Sequence, residues 1–197
     1  KNMKKILLLI LISIINLQVV SRANDINDFE IGSISLGQSL LDYTNKNQLE
    51  NLLSNTQYPN DKYLRYEISK ILDFENYDFV DVMAKKDDSN YIIEAISAGI
   101  LYDQLSECLK IKADIQKVVE DILQPSDKQE TKFPSNQDST GKSIIYGIQY
   151  YTKPYPSEES IIINCYHMTK ESNIGRVLRV SVNTHDFTDF IVNDSYN

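Results

Sequence analysis

Between Asp103 and Leu123 apolar residues recur every three or four positions, at Leu105, Cys108, Ile111, Ile115, Val118 and Ile122, against a face of Lys, Asp and Glu. That spacing predicts one long amphipathic helix, and its apolar stripe requires a layer to cover it. The sequence on either side supplies strands. Candidates fall near 63–71, 77–84 and 91–101 before the helix, and near 143–152, 160–168 and 176–183 after it. Strands grouped on either side of a helix point to an α+β domain: a mainly antiparallel sheet of about six or seven strands, with one long and two or three short helices packed on one face.

Shorter elements fit around this frame. In FEIGSISLGQSLLDY (Phe29 to Tyr43), apolar residues alternate at Phe29 and Ile31 and again at Ile34 and Leu36, with a one-residue slip across Gly32 and Ser33. A β-bulge there puts all four on one face. Gly37 then turns the chain into a first helix carrying Leu40 and Leu41. Leu49, Leu52 and Leu53, with Asn45 and Gln48 in the form of a capping box, predict a short helix over 46–54. Pro59 and its Asn and Asp neighbours make 55–62 a loop. Pro125 ends the long helix, and the polar segment from there through Gly141 reads as a mobile loop. Thr184 caps a last helix lined by Phe187, Phe190 and Ile191, with Asp186 at its favourable N-terminal end.

The Phe29–Tyr43 stretch resembles the opening of a group of uncharacterised exported proteins of Pelagibacter-type marine alphaproteobacteria, which begin with a similar FEI, ISIG and SLLDY series. Further matches are YIIEAISAG (Tyr91 to Gly99), Glu107 with Cys108, DSTGKS (Asp138 to Ser143), Cys165 with Tyr166, and LRVSVNT (Leu178 to Thr184). Together they cover most of the chain beyond its N-terminal segment. Gly32 and Ser33 stand where an acidic residue and then glycine are usual in that group, and Gln38 where aspartate is usual. The resemblance implies a shared fold and export, and carries no known activity.

The N-terminal segment has its own signature. Lys1, Lys4 and Lys5 precede an apolar run from Ile6 to Ile15 broken only by Ser13, and Ser21 and Ala23 provide the small residues of a cleavage site. Residues 1–23 therefore read as a secretory signal peptide and 24–197 as a single domain, periplasmic or secreted, with no membrane span after cleavage. Losing the four basic residues Lys1, Lys4, Lys5 and Arg22 takes the formal charge from −8 to −12. So acidic a chain is a poor partner for nucleic acid or an anionic membrane surface.

Cys108 and Cys165 are the only cysteines, and an even number in an exported chain favours a disulfide. Cys108 lies on the apolar stripe of the helix, and Cys165 shares a strand face with Ile161 and Ile163, so both thiols point into one helix-on-sheet interface. Such a bridge is worth roughly 4 kcal/mol in the chain-entropy model. The competing use, Cys165 as nucleophile with His167 as base, places the pair two apart on a strand, a poor arrangement for bringing their reactive atoms together. His167 and His185 are the only histidines, so a His-rich zinc site has no ligands. Asp87, Asp88 and Asn90 in KKDDSN lack the glycine and closing glutamate of a calcium loop and read as a hairpin turn. Gly141, Lys142 and Ser143 carry the end of a phosphate-loop motif, but its first glycine would fall on Asn136 and the tripeptide enters a strand. No catalytic residue, metal or cofactor is assigned.

One surface stands out. On strand 176–183, Arg179, Ser181 and Asn183 alternate with Leu178, Val180 and Val182, and on strand 160–168, Asn164, Tyr166 and Met168 lie opposite Cys165. If the two strands are neighbours, Asn164, Tyr166, Arg179, Ser181 and Asn183 form a polar and aromatic patch on the uncovered sheet face. The expectation is a non-catalytic binding module of the cell envelope, its partner an envelope protein or small ligand. A hydrolase acting on an envelope or small-molecule substrate is the rival reading. N-terminal sequencing of protein exported from a suitable host is expected to begin at Asn24, and exported material that retains Lys4 and Lys5 contradicts the cleavage assignment.

Overall fold

The computed structural model describes residue 26 and residues 29–123, 127–135, 138, 140–153, 159–169 and 175–195. The signal-peptide reading of residues 1–23 lies outside them, as does Pro125. The frame is a seven-stranded sheet in which every neighbouring pair is antiparallel. Its strands are β3 (Tyr63–Glu67), β4 (Phe79–Lys85), β5 (Ile93–Leu101), β6 (Asp127–Pro134), β7 (Ile144–Tyr151), β8 (Ser160–His167) and β9 (Val177–Asn183), in the spatial order β3-β4-β5-β9-β8-β7-β6. A small separate hairpin pairs β1 (Glu30–Ile31) with β2 (Ile34–Ser35). The helices are α1 (Leu49–Leu52), α2 (Leu105–Ile122) and α3 (His185–Asn193). The fold is α+β, and among the described residues no helix is long and apolar enough to cross a membrane.

Register assigns the two faces. Opposite residues of neighbouring strands share a face, so Val82, Ile96, Val182, Ile161 and Tyr150 form one continuous row, as do Leu178, Cys165 and Tyr146. This is the face that α2 covers, and its core contains Cys108 and Val119 of the helix. The Sγ atoms of Cys108 and Cys165 are bonded at 2.03 Å, with the Cα atoms 6.0 Å apart, which pins α2 to β8. Glu120 adds a polar tie by accepting from Tyr150 Oη at 2.8 Å and Lys128 Nζ at 2.9 Å. Leu105, Ile111 and Ile115 pack against this core as the spacing predicts, but Val118 (51 % exposed) and Ile122 (37 %) do not. Val119 and Leu123 are buried instead. Val119 comes about three turns after Cys108 and returns to the same line, whereas Val118 lies about 100° away around the helix axis.

The slip across Gly32 and Ser33 is a two-residue hairpin turn, not a bulge. Ile31 pairs with Ile34, and Gly32 takes φ 67°, as the first position of a type II′ turn requires. Ile31, Ile34 and Leu36 are buried and Phe29 packs beside them. Gly37, at φ 80°, leads into a three-residue 3-10 turn, Leu40–Asp42, in place of an α-helix. The capping box belongs to that turn: Ser39 Oγ accepts from Leu41 N, and Asp42 Oδ2 accepts from Ser39 N. Asn45 Oδ1 accepts from Asn47 N, so it caps the 3-10 turn that leads into α1, but the Gln48 side chain contacts the Asn45 amide and does not complete a box. The strand near 63–71 stops at Glu67, where a 3-10 turn takes over.

Two further corrections concern the sheet. Residues 127–134, within the segment read as a mobile loop, are the edge strand β6; all eight are exposed, so no apolar alternation marks them. Charged residues and a terminal proline leave this edge a poor template for further strand pairing. And whereas α2 lies on one face, α3 packs at the end of the other, where Phe187 and Phe190 join Tyr63, Met83 and Ala95 in a separate aromatic cluster. Replacing both Cys108 and Cys165 with Ala is expected to lower the unfolding free energy by about 4 kcal/mol. Urea unfolding measures it, and an unchanged midpoint contradicts the structural role of the bridge.

Candidate functional site

The face opposite α2 is shaped by what its strands lack. β5 presents Ala95, Ser97 and Gly99 to this side, and β9 sets Ser181 beside Ser97, so the middle of the sheet is low. Larger groups rise around it. At one end stand Phe187 and Ile191 of α3; at the β3 side stand Tyr58 and Thr56, in a loop held down by Gln57, which donates to the Arg65 carbonyl at 3.0 Å and accepts from the Arg65 amide at 2.9 Å. The result is an open groove of about 440 Å³, within the range of small-molecule sites.

The position of α3 follows from a bulge. Between Met83 and Ala84 the β4–β5 register shifts, which leaves Glu94 as the extra residue. The Glu94 carbonyl accepts from Thr184 N at 2.9 Å and its carboxylate accepts from Thr184 Oγ1 at 2.7 Å, while Thr184 Oγ1 accepts from Phe187 N as the helix cap. Lys85 Nζ reaches Asp186 at 2.7 Å and Glu94 at 3.3 Å. The hydrogen bond to Asp186 raises the Lys85 pKa, so this lysine is an anchoring cation and not a nucleophile.

β8 and β9 are neighbours, with Asn164 opposite Arg179, Ile162 opposite Ser181 and Ser160 opposite Asn183. Asn164, Tyr166, Arg179 and Ser181 all line the groove and are half-buried. Asn183 lines its inner end but is only 1 % exposed, so it belongs to the floor and not to the open surface. Met168 lies beyond the strand and is buried. The patch residues make few bonds of their own. Ser181 Oγ donates to Ser97 Oγ at 3.1 Å, Asn164 Nδ2 contacts Tyr166 Oη at 3.4 Å, and Asn183 Nδ2 donates to Ser160 Oγ at 3.1 Å. Two glycines admit these side chains: a Cβ at Gly147 would lie 2.4 Å from Asn164 Oδ1, and one at Gly99 would lie 2.0 Å from the Phe79 ring. The Arg179 guanidinium lies 5.3 Å over that ring.

The groove also holds residues that sequence alone did not mark. Arg65 stacks 5.5 Å over Tyr58, and its Nε, with no hydrogen-bond partner, is 4.0 Å from Asp81 Oδ2. Asp81 is buried beneath the two arginines; burial raises its pKa while Arg65 and Arg179 pull it back. Arg65 alternates with Tyr66 and Leu64 as any edge-strand residue does, and only the loop over β3 makes it part of a wall.

Of the remaining motifs, Cys165 is bonded and is no free nucleophile. Asp88 accepts from the amides of Asn90 and Ile92 and closes the β4–β5 turn. The GKS tripeptide serves a turn as well: Asp138 accepts from Ser143 Oγ at 2.6 Å, from Ser143 N at 2.9 Å and from Thr140 N at 2.8 Å, which engages the serine that a phosphate loop would use. No protein-family model, curated protein or solved structure matches the chain.

The bonds from Ser143 and Thr140 hold the Asp138 carboxyl well below the usual carboxylate range. A depressed folded-state pKa contributes stability above the unfolded value of about 4 and loses it as pH falls toward the folded value. Asp138→Asn is therefore expected to lower the thermal midpoint at pH 7, with the gap to wild type narrowing as pH drops below about 4 toward the folded value. A gap that does not change with pH contradicts the turn assignment.

Proposed function

We propose that this chain is an exported, non-catalytic binding module of the cell envelope that receives a small ligand in the groove between β8, β9, β5 and α3. The observation that carries the reading is the shape and chemistry of that groove: a floor of short side chains, polar groups from Asn164, Tyr166, Arg179 and Ser181, and an apolar wall from Phe187 and Ile191. Pockets that bind small molecules combine an apolar lining with a few convergent polar groups in this way. Export rests on the N-terminal segment and the resemblance noted above, and a disulfide suits an oxidising compartment. Cys165 is bonded to Cys108, which removes the Cys165 and His167 pair as a nucleophile and base.

The test is a fragment library screened by amide chemical shifts on the exported protein. Bound fragments are expected to perturb Ser97, Ile162, Arg179 and Ser181. Replacing both Tyr166 and Arg179 with Ala is expected to abolish those perturbations while the thermal midpoint moves by no more than a few degrees. Fragments that gather elsewhere, or bind the doubly substituted protein equally well, overturn the assignment.

A further inference from the structure

Resting on the groove as the binding site, we propose that its ligand is a small organic acid with an apolar body, its carboxylate taken by Arg179. Two features of the groove define this class, one for each part of the ligand.

The first is an unused cation. The Arg179 side chain forms no hydrogen bond and no ion pair with the described residues; its guanidinium rests on the Phe79 ring with its donors uncommitted. Asp81, the carboxylate that Arg65 and Arg179 both act on, is buried and stands 4.0 Å from Arg65 Nε. A planar guanidinium with free donors in a half-buried groove matches a carboxylate, which accepts two parallel hydrogen bonds from it. Asn164 Nδ2 and the Tyr166 hydroxyl lie on the same side as further polar groups.

The second feature is the direction of the apolar surface. From Arg179 toward α3 the groove passes Ile162 and Met83 and ends on Phe187 and Ile191. Arg179 and Asn183 are four residues apart along β9, about 13 Å. One aromatic ring on a short chain fits within that distance.

The probes are 3-(4-hydroxyphenyl)propionate and its amide, which differ only in the charged group. Titration calorimetry on the exported protein is expected to show the acid binding about tenfold or more tightly than the amide, as a charge-assisted bond predicts. Arg179→Gln is expected to reduce the acid to the level of the amide. If that variant does not fold, Arg179→Lys retains the charge and is expected to keep the preference for the acid in weaker form. Equal affinity of wild type for acid and amide overturns the organic-acid assignment and leaves the binding groove standing, as does binding of neutral fragments alone. A groove that accepts neither probe and no fragment overturns both.

Discussion

The structure depends on the insertion of β9 at the centre of the sheet. β3, β4 and β5 form one antiparallel run and β6, β7 and β8 another, and neither touches the other until β9 pairs with both β5 and β8. The strand that joins the halves is the last in the chain, and its contacts span long sequence distances: Ser181 and Ser97, hydrogen-bonded across β9 and β5, are 84 residues apart. Such pairing carries a large loop-closure cost before it is rewarded, so the sheet completes only once nearly the whole chain is present.

The same strand divides structure from site. Leu178, Val180 and Val182 fill the core beneath α2, while Arg179, Ser181 and Asn183 give the groove its cation and part of its floor. The disulfide works from behind. It holds Cys165, the residue between Asn164 and Tyr166, against the helix, so the core packing fixes the backbone from which two groove side chains project. At the far end the bulge at Glu94 fixes the cap of α3 and with it the apolar wall. Groove geometry is thus set largely by contacts made on the opposite face and at one rim, while the Arg179 guanidinium is left with no hydrogen bond of its own.

Periodicity made much of this legible. The alternation in β9 and β8 identified Asn164, Tyr166, Arg179 and Ser181 as one face, and the stripe on α2 with the parity of Cys165 identified the disulfide. What was hidden depended on neighbours distant in sequence. β6 has no buried residue, so its strand character lies only in backbone pairing with β7. Arg65 and Tyr58 enter the groove through a loop folded over β3, and α3 reaches the second face because of a one-residue bulge, features that no local spacing announces. Asn183 has the right parity for the patch and is nevertheless buried, because α3 closes the sheet at that end.

Two adjacent residues of β9 test the division between core and groove. Unfolding free energies should be measured for Leu178→Ala and Arg179→Ala by urea titration. Leu178 is 1 % exposed within the core, and its truncation is predicted to cost about 2–5 kcal/mol. Arg179 stands half-buried in the open groove, and its truncation is predicted to cost less than about 1 kcal/mol. Equal losses at the two positions would mean that both faces of β9 are structural, and would contradict the account.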